Sequence, residues 1–534
     1  MRAVTLLAVG CLLAGLALGC GSRRGQGSRP RASSGEAGTS SGALLAIGLP
    51  QLPVQLDPLQ GGGDVWAQRL VRGNVVEALF DRGPDDRAVG RLARAAEWRD
   101  QGRTLRLSLR RGVRFHDGRE LTSAEVAAAL DQVLRARSVN PLLRLALADI
   151  AQVTTPAADV VELRLTRVNY QLPRALAALP IVGRARAVDA HGAAGAGRPA
   201  HAMVVGTGPY QLGASAAPGT LLLRRFAGYW GAPPAIASVE LRAVPDAAHA
   251  LGALRNAEID VLAALHPGYY PAEVSGSRFD RRFFLRRLRP HQLRLLWFNL
   301  RRRLLDDRRV RLALARLADG AALATALGGE VQPLGRVLWG PWGSAVGGAG
   351  GPAPIDGAAL LNWSGWQRKG GGWRQRDGRV LVLRLLCARE GPGRQEAEQI
   401  ARRLREAGVG VSVELGDFGF VRVQLQRGNF DLALSGLTVP GDDELALYLH
   451  SDGALNFAHY ESSAADAVLD ALRTALPETD RSPWHARLLQ LLAEDPPWAG
   501  LYVPRELSVV SRRVEGWADD GQWPELATLR LRAN

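Results

Sequence analysis

The chain has 534 residues, 47% of them hydrophobic and 22% charged, and a formal net charge of +15. A single hydrophobic core stops growing at roughly 250–300 residues, so two lobes or more are expected, and no internal apolar run reaches the ~20 residues of a membrane-spanning helix. The charge does not mark nucleic-acid binding: Lys369 is the only lysine, the arginines are spread along the chain, and Arg301-Arg302-Arg303 is followed by Asp306 and Asp307.

At the amino terminus Arg2 precedes an apolar stretch from Ala3 to Gly19, then Cys20, Gly21 and Ser22. A positive start, an apolar core and small residues before a cleavage point make a secretory signal peptide, and place the protein outside the cytoplasm, in the cell envelope or periplasm. Leu16-Ala17-Leu18-Gly19-Cys20 resembles a bacterial lipobox, with Leu18 where a small residue is usual. The resemblance implies a lipid anchor on Cys20 that holds the protein to a membrane. Cys11 also follows a glycine, but only eight residues separate it from Arg2, which is short for an apolar core. Residues 21–42 are rich in Gly, Ser and Arg and are expected to form a flexible tether. Cys387 is then alone in the body of the chain, so no internal disulfide is possible, and its apolar surroundings predict a buried structural thiol.

An alternating apolar run begins near Ala43 and stops at Leu56-Asp57-Pro58. Thr104 to Arg110 alternates as a half-buried strand does, within a hairpin that begins near Ala93. Thr122 precedes Glu125 by three, a capping box that opens a helix from Ser123 to Leu134. His116-Asp117-Gly118-Arg119 reads as a turn rather than a catalytic pair. Strands are expected over Thr220 to Phe226, Ser238 to Val244 and Ile259 to Leu262, with a helix about Ala247 to Asn256. Glycine and tryptophan dominate between roughly 328 and 378, which predicts a loop-rich surface with weak secondary structure. Beyond it, strands at Arg379 to Leu386, Val409 to Leu415 and Phe430 to Ser435 surround a helix from Gln395 to Ala407 closed by Gly408. This is the pattern of a βαβ crossover in a mixed α/β lobe, and ligands bind at the carboxyl ends of such parallel strands.

Taken in order, these motifs resemble the peptide/nickel-binding family of bacterial extracellular solute-binding proteins, family 5. The resemblance runs from about residue 44 to the end. It is carried by Leu56-Asp57-Pro58, Val76-Glu77-Ala78-Leu79 (a helix in the family's first lobe), Leu92 to Trp98, Gly112 to Gly118 and Leu121 to Val126. It continues through Gly206-Thr207-Gly208-Pro209-Tyr210, Tyr229-Trp230, Glu258 to Val261, Phe298-Asn299, Asp307 to Leu314, Asn456-Phe457, Asp466 to Leu469 and Glu494-Asp495-Pro496. It implies an α/β, two-lobed periplasmic-binding-protein fold of type II, in its large three-part variant, with a hinge and an interlobe ligand cleft. The expected parts are a discontinuous first lobe (43–80, 205–290 and 500–534), a subdomain inserted into it (81–204) and a second lobe (291–499). The implied function is capture of a peptide or similar small solute by a monomer that delivers it to the permease of an ABC importer. An envelope sensor or adaptor, and a binder of a nickel chelate or haem, are the alternatives.

The family's amino-terminal anchor departs from its usual form. Peptide-binding members carry a Gly-Trp pair and, three residues after the Trp, an aspartate that pairs with the peptide's amino group. Here Gly436-Leu437-Thr438-Val439-Pro440 puts Leu437 at the Trp and Pro440 at the Asp, and proline cannot pair with an ammonium group. Asp442 and Asp443 are the candidate substitutes, or a solvated acidic turn. Phe418 falls where members carry a cleft tryptophan, as an aromatic wall or as ordinary core packing. No cofactor is expected, and neither a Gly-x-Ser-x-Gly elbow nor a metal-ligand spacing among the nine histidines points to catalysis.

Overall fold

A computed structural model of the chain describes residues 43–532, except 54–55, 58–64, 84–86, 136–140, 184–203, 215–216, 267–268, 289–291, 328–330, 335–355, 369, 371, 390–392, 439–441, 477, 505 and 520. The expected signal peptide, Cys20 and the tether lie outside the described residues.

In chain order, β1 (Leu44–Leu49) is followed by a separate four-stranded antiparallel sheet of β2 (Ala93–Arg99), β3 (Thr104–Leu109), β4 (Ile150–Ala157) and β5 (Val160–Leu165), in the order β2-β3-β5-β4. Helix α1 (Ser123–Arg135) packs on that sheet. Its start is the expected capping box: Thr122 N donates to Glu125 Oε2 at 3.1 Å and Ala124 N donates to Thr122 Oγ1 at 3.3 Å. Its buried Val126, Ala129, Leu130 and Val133 follow the helical repeat and join the apolar sides of β3 and β5.

The chain then returns to β1. Strands β6 (Tyr210–Gly213), β7 (Thr220–Arg225), β8 (Ser238–Ala243), β9 (Val261–Leu262) and β10 (Phe283–Leu288) join it, with α2 (Ala247–Arg255) between β8 and β9. β1 pairs in parallel with both β8 and β9. The second large sheet begins with β11 (Gln292–Phe298) and takes in β12 (Val331–Pro333), β13 (Val382–Ala388), β14 (Gly410–Gly416), β15 (Leu432–Thr438) and β16 (Trp498–Pro504), in the order β12-β16-β11-β15-β13-β14. Strand β17 (Glu506–Ser511) completes the first sheet, whose order is β6-β7-β8-β1-β9-β17-β10. The return to the first sheet therefore falls between Pro504 and Glu506 rather than at residue 500, because β16 is fully paired with β11 and β12.

Alternation along each strand fills two faces. In the second sheet Leu296, Phe298, Leu383, Leu385 and Leu434 meet α3 (Arg308–Ala318) and α6 (Gly393–Glu406), reached in the chain after α4 (Gly320–Leu327) and α5 (Gly357–Trp363). On the opposite face Leu293, Leu295, Trp297, Ala433 and Leu437 meet α7 (Phe418–Gln426), α8 (Asp442–Leu449), α9 (Ser463–Thr474) and α10 (Ser482–Glu494). The predicted crossover is present, since β13 pairs in parallel with both β14 and β15, and α6 ends before Gly408, whose φ of +82° suits glycine.

Two expectations are corrected. The stretch expected to be loop-rich holds α5 and a three-stranded meander over residues 367–380, because Leu360, Leu361 and Trp366 are buried against α3 and α6. The Val76 to Leu79 motif is not a helix: Glu77–Ala78 is a short strand paired with Pro180–Ile181.

Glu77 is fully buried and accepts four hydrogen bonds: from Arg91 Nε at 2.8 Å, Tyr229 Oη at 3.0 Å, Thr207 Oγ1 at 2.8 Å and Trp230 Nε1 at 2.8 Å. Burial alone would lower the Arg91 guanidinium, and the Glu77 carboxylate more than offsets it, leaving Arg91 raised. Truncating one partner of such a pair strands the other's charge. Glu77→Ala is expected to lower stability by roughly 3–5 kcal/mol in urea unfolding; a loss below about 1 kcal/mol would contradict this account.

His116 is structural, in keeping with the turn reading. Its Nδ1 accepts from Gly206 N at 3.3 Å and its Nε2 donates to Gly208 O at 3.0 Å, a pattern that requires the neutral ring. Burial lowers its pKa from the ordinary value of about 6.5. A histidine depressed on folding binds fewer protons folded than unfolded, so its stabilisation is present above about pH 6.5 and is lost as pH falls through the folded value. His116→Gln is expected to flatten the decline of the urea midpoint between about pH 7.5 and 5 relative to the parent chain, and parallel declines would contradict it.

Candidate functional site

Strand direction locates the site. β10 runs toward the crossing at 289–291, and β17 starts from the crossing at 505; the two pair antiparallel, Leu288 opposite Glu506. β9 is antiparallel to β17, and β1 and β8 share its direction, so the carboxyl ends of all three point to the crossings. In the second sheet β11 leaves the crossing and β15 runs back along it, with Gln292 opposite Thr438. β13 and β14 are parallel to β15. The carboxyl ends of the parallel strands in both sheets therefore share the hinge side. Arg389 after β13 and Asp417-Phe418 after β14 emerge there from the second sheet.

Phe418 is the first residue of α7, capped by Asp417, whose Oδ1 accepts from Phe420 N at 2.7 Å. It is 65% exposed, so the core-packing reading is excluded. Gly436, Leu437 and Thr438 are the last residues of β15 and pair with Arg294, Leu293 and Gln292. The two-residue period of the strand sets Leu437 on the opposite face from Gly436. Leu437 is 2% exposed and packs with Leu293 and Leu445, so its side chain cannot form a ligand wall as the family's tryptophan does. Gly436 is exposed. Pro440 lies outside the described residues. Asp442 and Asp443 are the first two residues of α8.

Sequence reasoning missed the charges that meet across the hinge side. Glu444, in the first turn of α8, lies 3.4 Å from Arg82 Nη2. Arg72 is close to both: burial and then repulsion from Arg82 push its guanidinium down to about 10, against the pull of Asp81 and Glu444. The lobes also touch through the backbone. Tyr170 N donates to Arg473 O at 3.2 Å, and Gln171 Nε2 donates to Leu472 O and Ala475 O at 3.4 and 3.3 Å. Beside Gly436, Arg294 is held by the fully buried Glu396 at the start of α6, which also takes the Tyr502 hydroxyl. Burial lowers Arg294 but Glu396 outweighs it, so the guanidinium is raised. None of these partners is within a local sequence window, so only an alignment of contacts could have found them. Among the described residues no group of three metal-ligating side chains occurs.

The sequence profile of the bacterial extracellular solute-binding proteins, family 5 (middle region), matches residues 87–456. The chain belongs to this family. Protein XP55 of Streptomyces lividans is 28% identical over 509 residues, covering 92% of this chain and 89% of that protein. Among solved structures, the oligopeptide-binding protein AppA from Bacillus subtilis in complex with a nonapeptide has a TM-score of 0.70 at 18% identity, covering 92% of this chain and 99% of that one. NikA from Brucella suis in complex with Fe(III)-EDTA has a TM-score of 0.74 at 21% identity, covering 92% and 100%. The α/β, two-lobed fold expected of family 5 is the fold observed.

Most of the family's motifs are structural in this chain. Arg311 donates to Pro496 O at 3.0 Å and pairs with Asp495, tying α3 to the end of α10. Asn299 Nδ2 donates to Gly428 O and Phe430 O, both at 2.9 Å. Asp260 accepts from Ala46 N at 3.0 Å and from Arg513 Nη1 at 3.2 Å. Cys387 is buried, as expected of a structural thiol, with its Sγ against Ala388 O and Gly393 O.

The opposed surroundings of Leu437 and Phe418 are testable. Leu437→Ala is expected to cost roughly 2–5 kcal/mol in urea unfolding, and Phe418→Ala to stay within about 0.5 kcal/mol. Equal effects would contradict the burial described.

Proposed function

We propose that this family 5 protein is the substrate-binding component of an ABC importer, anchored by lipid at Cys20, acting as a monomer and performing no chemistry on its ligand. A peptide or peptide-like solute would lie between the carboxyl edges of the two sheets, and closure about the crossings at 289–291 and 505 would present the closed form to the permease. Binding energy then shifts a population of open and closed forms rather than breaking a bond.

The observation that carries this reading is the shared direction of the parallel strands toward two short crossings, which leaves the ligand edge of each sheet facing the hinge. Phe418, Gly436, Thr438 and the backbone of Leu437 would supply the second-lobe wall. A peptide or other extended ligand can hydrogen-bond a strand end such as β15 through its own backbone. Asp442 and Asp443 would take a cationic end in place of the missing aspartate, and Arg72 and Arg82 offer the opposite charge from the first-lobe side. The loss of that aspartate to Pro440 also favours a second reading, a non-peptide solute such as a metal chelate, in keeping with the Fe(III)-EDTA held by NikA.

Mass spectrometry of small molecules that co-purify with the protein, followed by thermal-shift titration, separates these readings. A ligand of the folded state stabilises it by about 2.7 kcal/mol at a hundredfold excess over Kd. Peptides of roughly two to five residues are expected to raise the midpoint. No shift at millimolar peptide, with a clear shift from another class of solute, would overturn the peptide reading. Unchanged affinity for a cationic ligand in the chain carrying both Asp442→Asn and Asp443→Asn would remove the substitute anchor.

A further inference from the structure

A cavity of about 270 Å³ lies in the second lobe, lined in part by Arg301, Gln426, Ser451, His459 and Glu461. Arg301 follows the far end of β11, and Gln426 is the last residue of α7, whose first residue is Phe418. The cavity is therefore on the amino side of β15, away from the hinge, and the seven residues of β15 separate the two edges by roughly 20 Å. It is not part of the interlobe site.

Its polar groups are uncommitted. The Arg301 guanidinium, the Gln426 amide and the Glu461 carboxylate have no hydrogen-bond or ion-pair partner among the described residues, and Arg301 and Glu461 are both exposed at the rim. The Ser451 hydroxyl accepts a long bond from Ser462 N at 3.4 Å and has no acceptor among the described residues. His459 lines the wall with its ring, and its Nε2 is buried against Gly428. Other exposed arginines, such as Arg99, Arg111 and Arg309, are paired with carboxylates. The cavity contrasts also with one of about 340 Å³ beside β8, whose Arg242 is bound to Glu240 and to Glu258 O, and whose Asp246 caps α2.

The wall that presents these groups is fixed. Asn456 Nδ2 donates to His450 O at 3.2 Å and Tyr460 O at 2.7 Å, and its Oδ1 accepts from Tyr460 N at 2.9 Å. Within the segment so clamped His459 adopts a φ of +55°, a conformation that side-chain-bearing residues hold only when their surroundings impose it. Burial lowers the pKa of its ring, Arg301 lowers it further and Glu461 opposes the shift.

We infer that this cavity is a second, peripheral ligand site for a small zwitterion of free amino-acid size, with its carboxylate on Arg301, its ammonium on Glu461 and its remaining polar groups over Ser451 and Gln426. Guanidinium and carboxylate are the complements of the two charged ends, and a volume under that of drug-sized pockets, roughly 300–1,000 Å³, limits the ligand to a molecule of this class.

Isothermal titration calorimetry of the full chain with each of the twenty free L-amino acids tests the inference. At least one is expected to bind saturably. Arg301→Gln and Glu461→Gln, each at an exposed position and checked for folding by circular dichroism, are each expected to weaken it at least tenfold. The chain carrying Phe418→Ala, Asp442→Asn and Asp443→Asn is expected to bind it unchanged. The inference is overturned if no amino acid binds at millimolar concentration, if affinity survives both rim substitutions, or if it is lost with the three cleft residues, which would put the amino acid between the lobes. It is also overturned if acetate binds as tightly as the amino acid and is insensitive to Glu461→Gln, since the ligand would then be a simple anion.

Discussion

Two antiparallel strand pairs meet end to end where the chain passes between its sheets, and the geometry of both lobes is referred to that junction. β10 with β17 lies on one side and β11 with β16 on the other, joined by three residues at 289–291 and one at 505. Because every neighbouring strand is parallel or antiparallel to one of these four, the junction fixes which end of each strand faces the other lobe. It fixes as well where a helix must start: α6, α7 and α8 all begin on the hinge side, bringing their positive dipole ends and short connecting segments to the same edge.

Around this frame, buried carboxylates hold together segments that are far apart in sequence. Glu77 gathers Arg91, Thr207, Tyr229 and Trp230; Glu396 gathers Arg294 and Tyr502; Asp260 joins the start of β1 to Arg513. A buried ionised group is tolerated only where hydrogen bonds and opposite charge replace its water, and each of these sites does so. The family's recognisable motifs are in large part the two halves of such contacts, which explains how a recognisable motif set accompanies identity of only 18–28% with its relatives. Motifs of this kind report the scaffold, not the solute.

The elements that sequence made legible are those whose signals are local. The Thr122 to Glu125 box, the four apolar positions of α1 and the β13-α6-β14 crossover closed by Gly408 are each written within a few turns or strands. Helix α5 was hidden because its apolar residues Leu360 and Leu361, and Trp366 just after it, sit in a glycine-rich stretch, and Gly357 is required by close packing against Ala313 and Leu317 of α3. Glu77 reads locally as part of a helical run and is instead a two-residue strand, since four donors between 14 and 153 positions away decide its placement. At the candidate site the sequence identified the segment but not the facing. Whether Leu437 points to the core or Phe418 to solvent depends on strand register and helix phase, which the motif alignment does not carry.

The central claim is that a solute held between the carboxyl edges closes the two lobes about the junction. Small-angle X-ray scattering of the ligand-stripped protein, titrated with the small molecule that co-purifies with it, tests this most directly. The account predicts a radius of gyration that falls with occupancy and saturates with binding. Saturable binding at constant radius of gyration would contradict it.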